Sequence, residues 1–120
     1  MWRSTARKED RSEGSEGPVL LGSLGMVVGV AELEVRIPEV GSLKGKRSVV
    51  RKLIERTRSR FSVAIAEVEK QDVHSRAVIG LAVVGNDRRV VNGVLDRVID
   101  FVEGLAIAEL IGERVEILNL

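Results

Sequence analysis

The sequence predicts an α+β fold whose elements run β-α-β-β-α-β, and three observations carry that expectation. Apolar and polar residues alternate over residues 31–37, the period of a half-exposed strand. Two stretches, residues 42–59 and 87–103, repeat apolar residues at helical spacing. The remaining runs, residues 61–84 and 106–118, are rich in Val, Ile and Ala and broken by polar or glycine-containing connections. A chain of 120 residues suits one domain and hardly two.

Val27–Ile37 is the first strand. From Ala31 onward, Ala31, Leu33, Val35 and Ile37 face one side, with Glu32, Glu34 and Arg36 on the other. One polar face marks an antiparallel sheet open on that side. Pro38 and Gly41 end the strand. Ser42 suits the N-cap of a helix to about Ser59, since its hydroxyl can accept a hydrogen bond from the first turn. Leu43, Val50, Leu53, Ile54 and Thr57 share one face of that helix. Phe61–Glu69 reads as the second strand, with Phe61, Val63 and Ile65 alternating against Ser62, Ala64 and Ala66. Lys70–Ser75 is a polar connection, and Arg76–Val84 is apolar on both faces, as a central strand is. Asn86 or Asp87 caps a second helix to about Glu103 with the stripe Val91, Val94, Leu95, Val98 and Val102, and Gly104 stops it. In the last strand, within Ala106–Leu118, Val115 and Ile117 alternate with Arg114 and Glu116, and Gly112 marks a bend or bulge. This is the split βαβ, or ferredoxin-like, order: a four-stranded antiparallel sheet with two helices on one face. The other face stays open to water or to a partner.

Residues 1–25 stand apart. They mix charges of both signs with Ser, Gly and Trp2 and show no periodicity, so they read as a disordered tail. Because Met26 opens the first strand, they read equally as a mis-assigned start, leaving residues 26–120 as the single domain. Val19–Ala31 is apolar but only 13 residues long and broken by Gly22, Ser23, Gly25 and Gly29, against the ~20 residues of a membrane span. Arg3, Arg7, Lys8 and Arg11 precede it as in a signal peptide, but Glu9, Asp10, Glu13 and Glu16 interrupt them and no small-residue cleavage site follows. The expectation is a protein without a membrane association. The chain has no cysteine, which excludes disulfides, thiol catalysis and thiolate metal sites and suits a reducing cytoplasm.

The net charge of +1 gives no global argument for nucleic-acid binding. The distribution does. Between Lys44 and Arg60 eight basic residues face one acid, Glu55, so that segment carries +7 and the rest of the chain −6. Lys44, Arg47, Arg51 and Arg58 line one flank of the helix's apolar stripe, with Lys52, Arg56 and Arg60 on the other. Such a surface can neutralise several phosphates. The plain alternative is a solvated face, with Glu55 pairing with Arg51 and Arg58. Gly41-Ser42-Leu43-Lys44-Gly45-Lys46-Arg47-Ser48 lies between a strand and a helix, as a nucleotide loop does, but three residues rather than four separate its glycines and Arg47 intervenes between Lys46 and Ser48. A looser anion site of helix amides with Lys44 and Lys46 fits better.

Other chemistry is sparse. His74 is the single histidine, in a polar loop beside Asp72, and reads as exposed. With one His and no Cys a metal site is not expected. Glu32 and Glu34, and Glu67 and Glu69, read as solvated sheet carboxylates. The strands carry no aromatic residue but Phe61, so base stacking on the sheet, the mode of RNA-recognition modules of this topology, is not expected.

From Met26 onward the chain resembles the YlxP-like family of small bacterial domains of unestablished function. The resemblance rests on Met26-Val27-Val28-Gly29-Val30 leading into Glu32-Leu33-Glu34-Val35, and more specifically on Ser42-Leu43-Lys44-Gly45-Lys46-Arg47. Glu67-Val68 with Gln71-Asp72 and Arg76-Ala77, and Val94-Leu95-Asp96, add to it. It implies a ferredoxin-like fold and, because members are often encoded beside translation-initiation and ribosome-assembly genes, a role near ribosomes or RNA. It implies no catalytic residues and no cofactor. Acylphosphatases share the strand order, but their glycine-rich phosphate cradle has no match in the first strand-to-helix turn here.

The expectation is thus a non-catalytic cytoplasmic module that binds ribosomal RNA or a ribosome-associated protein through Lys44, Lys46, Arg47, Arg51 and Arg58. The alternatives are a protein-interaction module, a homodimer among them, pairing through the open sheet face or edge, and a small phosphate-handling hydrolase.

Overall fold

The computed structural model describes residues 25–38, 41–71, 73 and 75–120. The readings of residues 1–24, of Asp72 and of His74 lie outside these described residues. The elements are β1 (Val27–Arg36), α1 (Leu43–Arg60), β2 (Ala64–Glu69), β3 (Arg76–Gly85), α2 (Arg88–Leu105) and β4 (Glu109–Asn119). The strands form one sheet in the order β2-β3-β1-β4, with every neighbouring pair antiparallel. This is the ferredoxin-like α+β architecture, with both helices on one face.

Alternation in the strands decides which residues meet the helices. Ala31, Leu33 and Val35 of β1 and Ala77, Ile79 and Leu81 of β3 are buried on the helix side. α2 closes most of that side with Val91, Leu95, Val98, Ile99 and Val102. Its approach to β1 is so close that a Cβ at Gly29 would lie 2.6 Å from Val91 Cγ1 and 2.7 Å from Leu95 Cδ1. Val94, expected in the stripe, is half-buried and Ile99 replaces it, because the buried face follows the 91-95-98-99-102 row.

The predicted caps form. Ser42 Oγ accepts from the Gly45 amide at 3.1 Å, and Asp87 Oδ1 accepts from the Arg89 and Val90 amides at 2.8 and 3.4 Å. Three boundaries differ from expectation. Phe61 is the C-cap of α1, its amide bonded to the Thr57 carbonyl at 3.0 Å, and its ring meets Phe101 of α2 edge-on, with centroids 5.4 Å apart, so β2 begins only at Ala64. α2 runs past Gly104 and ends on Ala106 in the left-handed region, φ 56°. The bulge near Gly112 falls on Ile111: Glu34 pairs with Gly112 and Val35 with Leu110. A second irregularity lies at Val68, between Glu67 and Glu69 of β2.

Candidate nucleic-acid interface on the first helix

α1 rises ~1.5 Å per residue, so Lys44, Arg47, Arg51 and Arg58 spread over about 21 Å of its length. All four are exposed and lie on one flank. Arg47, Arg51 and Arg58 line a shallow groove of about 350 Å³ between α1 and β2, with Val50 and Ile54 as apolar lining and Glu55 and Glu67 beside them. Arg58 also donates from Nη2 to the Ile65 carbonyl of β2 at 3.1 Å, which ties the end of the helix to the strand. On the other flank Arg60 sits over the rings of Phe61 and Phe101, 5.8 and 5.5 Å from their centroids, a cation–π placement.

Lys44, Arg47, Arg51, Lys52 and Arg56 make no ion pair or side-chain hydrogen bond with another described residue. Glu55 pairs with neither Arg51 nor Arg58 among the described residues, so the neutralisation allowed by its spacing is not used. The flank therefore presents to solvent several cations that have no ion pair among the described residues, with Glu55 and Glu67 beside the groove.

Lys46 is the correction. It is fully buried, its Nζ lies 2.7 Å from Glu67 Oε2, and it donates to the Lys70 carbonyl. It does not lie on the exposed flank with Lys44, Arg47, Arg51 and Arg58. The reason is helical phase: Lys46 falls in the middle of the buried row with Val50, Leu53 and Thr57, and an ammonium there has to be paired. Glu67 supplies the pair because it stands opposite Ile79, on the helix side of β2. That parity was the available signal: a lysine at stripe spacing in α1 and a glutamate at inward parity in the next strand. Thr57, the other polar residue of the row, is satisfied within the helix by donating to the Leu53 carbonyl at 2.8 Å.

Glu32, Glu34 and Glu109 are engaged across strands. Arg114 donates to Glu32 from Nη2 at 2.5 Å and from Nε at 3.2 Å, Arg76 meets Glu34 at 3.2 Å, and Arg36 meets Glu109 at 2.8 Å. The hydrogen bond to Glu32 and its negative charge raise the Arg114 pKa above its ordinary value. Among the described residues no three His, Cys, Asp or Glu side chains gather where they could hold a metal ion. Phe61 and Phe101 both pack with the helices, so the open sheet face offers no stacking ring among those residues. No described helix is long and apolar enough to cross a membrane.

A protein family described as "Protein of unknown function (DUF503)" matches residues 28–115. The "Uncharacterized protein YlxP" of Bacillus subtilis (strain 168) is 36% identical over 77 residues, 64% of this chain and 84% of that protein. Among solved structures, the "De novo designed protein Foldit4" superposes with a TM-score of 0.47 at 14% identity, covering 79% of this chain and 98% of that one.

Proposed function

The chain belongs to the DUF503 family of proteins of unknown function, and from that premise we propose that it is a non-catalytic cytoplasmic module that binds the phosphate backbone of RNA, ribosomal RNA first, through the exposed flank of α1. The observation that carries this reading is the row of exposed cations on one flank of a helix that carries +7. Lys44, Arg47 and Arg51 face solvent without a described partner, and Arg58 extends the row along the groove. A polyanion gains affinity on such a row by releasing its condensed counterions. Without rings on the open sheet face among the described residues, recognition runs through backbone contacts rather than base stacking. The choice of ribosomal RNA or a ribosome-associated partner comes from the genomic company of YlxP-like proteins.

The test is binding of the full chain to ribosomal RNA across a salt series. Four phosphate contacts on single strands give log affinity a slope of about −3 against log salt. No binding at low salt contradicts the reading and returns the flank to the role of a solvated helix face.

A further inference from the structure

We propose that the open face of the sheet is the interface of a two-fold dimer, packed against the same face of a second copy of this chain. Beside its charged residues, part of this face exposes apolar side chains for which a monomer has no use. Val84 is 66% exposed, Val68 43% and Leu118 39%. Beside them lies a concavity of about 650 Å³ lined by Val30, Ala64, Ala66, Val68, Gly80 and Ala82 and bounded by Glu32, Arg114 and Glu116. The surface thus carries both projections and a hollow of small residues, as a self-complementary two-fold contact requires.

The charges of the face select the same occupant. Arg114 is joined to Glu32 and Arg76 to Glu34, so the acids of β1 are neutralised within the sheet. Charges of both signs are nearly balanced over this face, with Glu69 and Glu116 as further exposed acids, whereas α1, at +7, would repel its own copy. The area is sufficient. Three strands of 10, 10 and 11 residues and β2 of six, at ~3.3 Å per residue and ~4.8 Å spacing, give about 590 Å² per copy, or about 1,200 Å² in total, the lower bound for a specific interface.

The sheet edges are poorer candidates. β2 has six residues and a broken register at Val68, and Arg58 occupies its Ile65 carbonyl. β4 carries a bulge at Ile111 and the buried, inward-facing Glu113. Short length, bulges and inward charges are the features that keep edge strands from pairing. Face-to-face packing also leaves both copies of α1 outermost, so this inference stands whether or not α1 binds RNA.

The test is the solution mass of the full chain, by sedimentation equilibrium from micromolar to submillimolar concentration, for wild type, Val84→Asp and Val90→Asp. Val90 is 60% exposed but lies on α2, away from the face. The wild-type mass should rise from the 13.1 kDa of one chain toward twice that value. Val84→Asp should weaken dimerisation at least ~100-fold, because two-fold symmetry doubles each substitution, and Val90→Asp should dimerise as wild type. Unchanged far-UV circular dichroism checks the fold, and Leu118→Asp takes the place of Val84→Asp if that variant fails the check. A wild-type chain that stays monomeric throughout overturns the proposal and leaves the face to another occupant, residues 19–24 or a different protein. Dimerisation unaffected by the face substitution, or abolished equally by Val90→Asp, also overturns it.

Discussion

α1 and α2 hold equivalent places in the two halves of the fold. Each has 18 residues, and each begins on a side-chain cap. α2 buries five aliphatic side chains over the centre of the sheet and carries no net charge, with three arginines balanced by two aspartates and a glutamate. α1 buries Val50 and Leu53, but also Lys46 and Thr57, and carries +7. It packs toward β2, at the sheet's edge. One helix closes the core, whereas the other is held in place by a buried ion pair and presents charge. A helix kept only for packing would not place a lysine in its buried row.

Substitutions can sharpen that contrast, and the core of α2 should give the largest effect. Leu95→Ala removes a fully buried side chain above Gly29 and should cost ~3–4 kcal/mol of stability in urea unfolding, more than Leu53→Ala at the equivalent depth of α1. Lys46→Met should cost about 2–3 kcal/mol, because it leaves the largely buried Glu67 without its cation. Lys46→Met combined with Glu67→Leu should recover most of that loss, since an apolar pair can replace a buried ion pair; this double variant converts the α1 row to the α2 kind. Ala106→Gly should raise stability by about 0.5–1 kcal/mol, because glycine occupies the left-handed cap of α2 without strain. Smallest of all, Lys44→Glu, Arg47→Glu and Arg51→Glu should each move stability by less than ~0.5 kcal/mol, as exposed residues without partners do.

Local chemistry made much of the fold legible. Ser42 and Asp87 cap where a polar side chain precedes an apolar helical row, alternation assigned β1, and Gly112 announced the neighbouring bulge. The boundary at Phe61 was less legible, because its apolar ring fits a strand pattern and a helix cap equally well and the contact with Phe101 decides between them. The candidate site was legible in composition and not in depth. Lys46 reads as basic surface until Glu67, 21 positions later, is placed on the inward side of β2. The pairing of Glu32 with Arg114 and of Glu34 with Arg76 depends on strand order and register, which no local pattern carries. The open face was expected from the crossover rule, but its hollow of small residues emerges only when β2, β3 and β1 lie side by side.

The measurement that tests the account most directly compares two charge reversals of equal size for binding to ribosomal RNA at low salt. One joins Lys44→Glu, Arg47→Glu and Arg51→Glu on α1; the other joins Arg88→Glu, Arg89→Glu and Arg97→Glu on α2. If α1 is the binding surface, the first should weaken binding at least ~100-fold and the second less than about 10-fold, although both change the net charge equally. Equal losses would show that binding follows overall charge rather than the α1 surface, and a loss confined to the α2 variant would contradict the assignment of the two helices.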